Sequence, residues 1–282
     1  MARALSLLSW NINGKVVDKG LVLSELLSTN EIIFLQEHFL SHERKNLLSI
    51  SQNSYLLFHP AKMNKSRGRP SGGLAIISQF PVNLLESNDH FIAAEFSDLI
   101  CINVYLPTNY CSSQSENKFI NACKKLASFV KGVSKHPNAR VLIAGDFNCD
   151  LTDSSSPRTQ LLLNSLPPSY SVADKTETFT FIGVLSATSN LDHFIASFPC
   201  ETVEVICDGF YSDHLPIKLK INASFHAPKQ PDKKWFYIKD WKEVNREMFR
   251  FECDRILNKI KVPFHLLCTL CLFPRMSLLK FG

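Results

Sequence analysis

No apolar run in the sequence approaches the ~18–20 residues that a bilayer-spanning helix needs, so no membrane partner is expected. The stretch from Ala4 to Leu8 is shorter than the core of a signal peptide, and no small-residue cleavage site precedes Trp10. The nine cysteines, an odd number, follow no framework spacing. This excludes a small secreted scaffold stapled by disulfides and fits a reducing compartment. Cys268 and Cys271 form a lone C-x-x-C inside an apolar run, with no second pair to complete a zinc site. No segment recurs at a fixed period, which excludes a repeat array. These absences lead to an expectation of an intracellular protein, nuclear or cytoplasmic and not secreted.

What is there is enough for a large domain. The chain has 282 residues, 45% of them hydrophobic, so a sizeable core is available. The formal net charge of +5 is unevenly spread. Residues 223–282 carry 12 Lys/Arg against 6 Asp/Glu, and the remainder carries 19 against 20. A near-neutral body with a basic tail points to a polyanionic partner, or else to a solvated helix in the tail. The polar stretch Ala227–Lys234 marks a linker. Beyond it Asp240 and Glu243 suit a capping box, and Val244, Phe249, Cys253, Ile256 and Ile260 form an apolar stripe. The expected organisation is a domain over 1–222, a linker over 223–239, and a basic helical tail over 240–282 that reads as a fragment of a longer polyprotein.

Hydrophobic patterning then places the elements. Strands are expected at 4–12, 31–36, 55–58, 74–77 and 99–106, with further strands in 82–98. Helical spacing is present over 17–29 and 114–133, the second through Phe119, Cys123, Leu126 and Val130. Residues 41–51 read as a polar amphipathic helix, Lys62–Gly73 as a loop, and 151–168 as a loop with a short helix. Short strands near 170–173, 178–182, 191–196, 201–207 and 215–221 complete the body. Strands outnumber helices and several are adjacent in sequence. The expected fold is therefore α+β, a four-layered α/β sandwich of two mixed sheets packed face to face with outer helices.

The centre of the chain is Ala144-Gly145-Asp146-Phe147-Asn148. Val141-Leu142-Ile143 leads into it as a buried strand, and Gly145 lets the backbone take a conformation that bulkier residues resist. Read as extended, the segment points Asp146 and Asn148 to the same side. Six polar clusters fall at predicted strand ends: Asn11 with Asn13, Gln36 with Glu37, Asn103 with Tyr105, Asp146 with Asn148, Asn190 with Asp192, and Ser212, Asp213 and His214. Each alone has an ordinary reading as a turn, a cap or a core residue. Together they form a coherent chemical set. Glu37 can ligate a hard cation such as Mg²⁺, which prefers one or two carboxylates and keeps several waters. Asp146 can orient or deprotonate a water, and His214, fixed by Asp192, can stabilise charge on a phosphoryl oxygen. Asn11, Asn148 and Tyr105 can hydrogen-bond the remaining oxygens. Such a set suits in-line attack of water on a phosphodiester.

The ordered series Ser9-Trp10-Asn11-Ile12-Asn13-Gly14, Leu35-Gln36-Glu37, Ser71-Gly72-Gly73, Asn103-Val104-Tyr105-Leu106-Pro107, Gly145-Asp146-Phe147-Asn148, Leu191-Asp192-His193 and Ser212-Asp213-His214 resembles the endonuclease/exonuclease/phosphatase superfamily. The resemblance covers residues 5–221 and implies a two-sheet sandwich with a Mg²⁺- or Mn²⁺-dependent phosphoesterase site at one edge. It implies Glu37 as metal ligand with Asn11 and Asp213 beside the metal. Asp146 would act on the water, Asn148 would hold a phosphate oxygen, Tyr105 would contact the scissile phosphate, and Asp192 would orient His214. Asn13 stands where some relatives, notably apurinic/apyrimidinic endonucleases, carry Asp.

Within the superfamily the chain looks closest to endonucleases of LINE-type non-LTR retrotransposons. The resemblance lies in Asn11–Gly14 with Gln36-Glu37-His38, in Phe179-Thr180-Phe181 followed by Asn190-Leu191-Asp192-His193, and in the basic tail from Lys233-Lys234-Trp235. No Tyr-x-Asp-Asp motif of a polymerase occurs. The resemblance implies DNA as partner, nicking to 3′-hydroxyl and 5′-phosphate ends, and a monomeric nuclease domain. Arg67 and Arg69 are candidate phosphate contacts. Asn103, Thr180 and Ser189 complete the candidate substrate-binding set, with residues 180–190 lying beside DNA. Competing readings are an abasic-site repair endonuclease, a phosphatase of small phosphoesters, and an inactive remnant.

Overall fold

The computed structural model describes residues 3–223 apart from 15, 17–19, 49–53, 65–67, 97, 109–112, 136–138, 178, 184–186 and 208–211. The expected linker and helical tail lie outside the described residues, as does Arg67. In chain order the elements are β1 (Arg3–Asn11), α1 (Gly20–Thr29), β2 (Ile32–Gln36), a 3-10 helix (His42–Leu48), β3 (Tyr55–His59), β4 (Lys62–Asn64), β5 (Arg69–Ser71), β6 (Leu74–Ser78) and β7 (Asn83–Ser87). There follow β8 (Phe91–Phe96), β9 (Leu99–Tyr105), α2 (Ser113–Val133), β10 (Arg140–Asp146), α3 (Pro157–Ser165), β11 (Ser171–Val172), β12 (Phe181–Ile182), β13 (Thr188–Ser189), β14 (Asp192–Ala196), β15 (Glu204–Val205) and β16 (Ile217–Ala223).

Two six-stranded sheets result, in the orders β15-β16-β1-β2-β6-β3 and β11-β14-β10-β9-β8-β7. The period-two alternation of the strands decides what each face meets. In β1, Leu5 and Leu7 turn to the interior between the sheets, while Leu8 and Trp10 turn outward beneath Leu23, Leu26 and Leu27 of α1. In β10, Leu142 and Ala144 join the same interior, while Val141 and Ile143 pack under Phe119, Cys123, Leu126 and Val130 of α2. The layers are thus helix, sheet, sheet, helix, the α/β sandwich expected.

Each sheet is mixed. β1 pairs with β2 in parallel and β9 with β10 in parallel, while their other neighbours are antiparallel. Each parallel pair is joined by a helical crossover, α1 or α2, as parallel pairing requires. The carboxyl ends of β1, β2, β9 and β10 therefore lie with the amino end of β14. The register sets Asn11 beside Gln36, Tyr105 beside Asp146, and Asp146 beside Asp192. Contacts of β10 with both β1 and β2 bring the two groups of strand ends together.

Several expectations are corrected. Residues 42–48 form a 3-10 helix rather than an amphipathic α-helix, because Leu48 is its one buried residue and there is no apolar stripe to hold regular turns against the sheet. The supposed loop 62–73 contains the hairpin β4–β5, with Lys62 opposite Ser71 and Asn64 opposite Arg69. Asn148 is not extended: its φ of +50° is left-handed. Gly145 is required more strictly than by backbone freedom alone. At its φ of +138°, a Cβ would lie 2.1 Å from the Val104 carbonyl oxygen on β9.

Candidate active site

Asp146 is the last residue of β10 and is almost wholly buried. Its Oδ2 accepts from the Asn11 side-chain amide at 2.9 Å, and its Oδ1 accepts from the Asn148 backbone N–H at 2.9 Å. The left-handed turn at Asn148 makes the second bond, so carboxylate and amide are still brought together, by a turn rather than by strand alternation. The Asn148 amide also donates to the Leu106 carbonyl at 2.8 Å, using one of its two N–H groups. Burial above all pushes the Asp146 carboxyl above the usual carboxylate range, and the neighbouring Asp192 charge adds to this. His214 and the Asn11 amide pull in the opposite sense.

His214 precedes β16 and meets two carboxylates. Its Nδ1 donates to Asp192 Oδ2 at 2.8 Å, and its Nε2 lies 3.8 Å from Asp146 Oδ2. Burial disfavours its charged form, but the charges of Asp192 and Asp146 outweigh burial and push the imidazole well above its ordinary value. The ring packs against Phe181 of β12 at 4.8 Å between centroids, and its backbone carbonyl accepts from the Trp10 indole at 3.0 Å. Asp192 Oδ2 also accepts from the Thr180 hydroxyl at 2.8 Å, while its Oδ1 is buried with no hydrogen-bond partner among the described residues.

The other side of the site lies on the first sheet. Glu37 follows β2 with a φ of +52° and accepts a short hydrogen bond from the Tyr105 hydroxyl at the end of β9. Asn11 Oδ1 accepts from the Asn13 N–H at 3.0 Å. Asn13, itself left-handed, donates through its side chain to Asp213 Oδ1 at 3.1 Å, and Ser212 donates to the Asn11 carbonyl at 2.8 Å. Asn11 with Asp146, and Asp192 with His214, thus form two hydrogen-bonded pairs that face each other across the 3.8 Å approach of His214 Nε2 to Asp146 Oδ2, while Glu37 and Tyr105 form a pair that bridges the two sheets.

Of the four candidate substrate contacts among the described residues, two do other work. Asn103 is wholly buried and donates to the carbonyls of Leu35 and Ala75 at 2.9 Å each, while its oxygen accepts from the Gln36 amide at 2.7 Å. Its groups are spent bridging the sheets, so it is corrected from a substrate contact to a structural one. Thr180 is likewise fully buried. Its hydroxyl donates to Asp192 and accepts from the N–H groups of Leu191 and Asp192, so it fixes Asp192 instead of facing DNA. Arg69 is exposed on β5 with its guanidinium 5.9 Å from the Phe39 ring centroid, and Ser189 is exposed on β13.

A metal fits this donor set. Among the described residues, Asp146, Asp192 and His214 offer ligand atoms that all lie within 4.8 Å of one another. The hard carboxylate oxygens of Asp146 and Asp192 suit a divalent first-row cation or Mg²⁺, and the buried Asp192 Oδ1, which has no hydrogen-bond partner among the described residues, is open to one. Glu37 and Asp213, expected as ligands, are not members of this cluster. This supports use of a divalent metal without selecting Mg²⁺.

Comparison with known proteins agrees with the geometry. The model of the Endonuclease/Exonuclease/phosphatase family matches residues 8–214. No curated protein matches the chain. Among solved structures, the chain is similar to the 3′ phosphatase NExo from Neisseria bound to product DNA hairpin, at 18% identity over 76% of this chain and 98% of that one, with a TM-score of 0.60. It is similar to the Xenopus laevis APE2 catalytic domain at 16% identity, covering 80% and 95% of the two chains, with a TM-score of 0.64. An AP endonuclease from Archaeoglobus fulgidus gives 15% identity, 78% and 100% coverage, and a TM-score of 0.60. At such identities these likenesses concern the fold.

Proposed function

The chain belongs to the endonuclease/exonuclease/phosphatase family and is a metal-dependent hydrolase, and from that premise we propose that it hydrolyses phosphoester bonds in DNA at abasic sites or 3′ ends. The observation that carries this reading is the buried group Asp146–Asp192–His214, set at the same strand ends as the Glu37–Tyr105 pair. Support for DNA comes from the neighbours described above, one of them an AP endonuclease and one bound to a DNA hairpin. The hairpin β12–β13 beside His214 exposes Ile182, an apolar side chain of the kind that wedges into a disturbed base stack.

In this reading His214, held protonated by its two carboxylates, neutralises charge that builds on a phosphoryl oxygen. Asp146, with its proton affinity raised, takes the proton of the attacking water. Asn11 orients Asp146, and Asn148 offers its second amide N–H to the phosphate. A divalent cation such as Mg²⁺ or Mn²⁺, when bound by these carboxylates with Glu37, Asn11 and Asp213 in support, supplies charge neutralisation and a more acidic water. Tyr105 fixes Glu37 and would contact the scissile phosphate. Arg69 and Arg67 would bind flanking phosphates.

A second reading is supported by Asn13, which stands where abasic-site enzymes resemble one another in carrying Asp, and by the sequence around Phe179–His193. In it the chain nicks intact duplex, leaving 3′-hydroxyl and 5′-phosphate ends, in target-primed reverse transcription of a LINE-type element. None of the solved structures described above is named for that role. The test is one set of reactions on supercoiled plasmid, a duplex with a single abasic site, and a duplex with a 3′-phosphate end. Preference for the abasic or 3′-phosphate duplex supports the first reading. Efficient nicking of undamaged plasmid supports the second.

A further inference from the structure

Lys175 lies in the polar stretch Ala173-Asp174-Lys175-Thr176-Glu177, where a lysine would ordinarily be a solvated surface charge. Here it turns inward. Its ammonium donates to the backbone carbonyl of Asp192 at 2.6 Å and makes a short bond to the Asn190 side-chain oxygen. The Asn190 amide in turn donates to Asp150 Oδ1 at 3.0 Å, in the segment that follows β10 and Asp146.

The sheet explains why a side chain is needed there. β11 is only two residues long and pairs antiparallel with β14, Ser171 opposite Ala196 and Val172 opposite Ile195. The next ladder bond is still made, from the Ala173 N–H to the Phe194 carbonyl at 2.9 Å. Continued in the same register, Lys175 would lie opposite Asp192. The chain instead bends away, and Lys175 bridges to Val203, with the Thr176 N–H donating to the Val203 carbonyl at 2.9 Å. The Asp192 carbonyl at the sheet edge is thereby left without a ladder donor. The lysine ammonium supplies one, at the residue whose carboxylate holds His214.

We propose that Lys175 is a positioning residue of the active site: its side chain replaces the missing strand bond at Asp192 and so fixes the carboxylate that holds His214. Two independent ties converge on Asp192, Thr180 on its N–H and carboxylate and Lys175 on its carbonyl. Together they hold the backbone of the first residue of β14 on both its polar groups and one oxygen of its carboxylate, the oxygen that meets the imidazole. A charge-assisted bond to a carbonyl is stronger than a neutral one, which suits a position at a fraying strand end.

The kinetic arm of the test rests on the phosphoesterase reading, and a spectroscopic arm does not. Lys175→Met is compared with the parent protein and with Lys175→Arg, which keeps a cationic donor. The Nδ1 proton of His214, bonded to Asp192, is followed as a downfield proton resonance in His214-assigned spectra. The expected result is loss or strong broadening of that resonance in Lys175→Met and its retention in Lys175→Arg. With any phosphodiester substrate the parent turns over, kcat falls at least tenfold in Lys175→Met with KM within twofold, and Lys175→Arg restores most of it. If Lys175→Met does not fold, Asn190→Ala, which removes one of the two partners of the ammonium, must weaken the same resonance. An unchanged resonance with unchanged kcat in a folded Lys175→Met protein overturns the proposal, as does an unchanged resonance in Asn190→Ala where that variant is the one measured. If no substrate is turned over at all, the proton resonance alone decides.

Discussion

Asp192 Oδ2 and His214 Nδ1 are 2.8 Å apart, deep in the protein, and the same imidazole turns its Nε2 toward Asp146 at 3.8 Å. The imidazolium stands between two buried carboxylates, and without it the two would face each other with no cation between them. Asp192→Asn takes away the charge that most favours the imidazolium. Its expected effect is a fall in kcat of about 10²–10⁴ with a smaller change in KM. A titration of His214 by NMR should show its proton affinity falling toward the ordinary histidine value in the same variant.

Tyr105 and Glu37 come from different sheets, and the tyrosine hydroxyl is the bond that joins them. Tyr105→Phe leaves the ring in place and frees the Glu37 carboxylate. If Glu37 serves the metal, the expected outcome is weaker activation by the cation, read as a rightward shift of the Mg²⁺ or Mn²⁺ dependence by roughly tenfold. Glu37→Gln should shift it further.

Two histidines outside the catalytic group set an acid limit on stability. His38 is stacked on Phe58 at 4.7 Å, and burial pushes its pKa down to about 4. His193 is fully buried, and burial foremost, with the Lys175 charge next, pushes it down to about 3. Both are neutral in the folded protein and take up a proton when it unfolds below the ordinary value of about 6.5. The unfolded state then binds more protons, so the contribution of these two histidines is constant above that pH and falls as pH drops from about 6.5 toward 4. Each group contributes a slope of about 1.4 kcal/mol per pH unit in that window. Urea unfolding at several pH values checks this, and His38→Gln should remove about half of the slope due to the pair.

Gly145→Ala tests the close approach of β10 to β9. A methyl group 2.1 Å from the Val104 carbonyl oxygen cannot be absorbed by a side-chain rotation, because both atoms belong to backbone held in a parallel ladder. Loss of about 3 kcal/mol or more of stability is expected, measured by chemical denaturation.

Asn103→Leu distinguishes a structural bridge from a substrate contact. The variant leaves the Leu35 and Ala75 carbonyls and the Gln36 amide without their partner between the sheets. Destabilisation of about 2–4 kcal/mol with KM unchanged is expected. A raised KM with unchanged stability would return Asn103 to the substrate.

Much of the frame was legible in the sequence, because it depends on local signals. The run Val141-Leu142-Ile143-Ala144 announces a buried strand, and the structure packs it against the other sheet on one side and α2 on the other. The helical spacing of Phe119, Cys123, Leu126 and Val130 gives the buried face of α2. The polar residues at strand ends could be named because strands were legible, and parallel pairing then forces their ends together. What escaped reading depends on distant partners. Nothing near Asn103 tells that its amide meets Leu35 and Ala75 on the opposite sheet, or near Thr180 that its hydroxyl meets Asp192. Asn148 was misread as extended because the turn that binds it to Asp146 is chosen by hydrogen bonding, which β-strand patterning does not show. Lys175 was passed over because its polar neighbours give the pattern of a solvated loop.

In the function proposed, the buried Asp146–Asp192–His214 group works with a divalent cation on a DNA phosphoester. The most direct measurement is hydrolysis of an end-labelled duplex carrying one abasic site, with Mg²⁺ or Mn²⁺ and with EDTA, by the parent protein and by His214→Ala. The account predicts cleavage that needs the cation and falls by at least about 10² in His214→Ala. Cleavage that persists in EDTA, or at an undiminished rate in a folded His214→Ala protein, would contradict it.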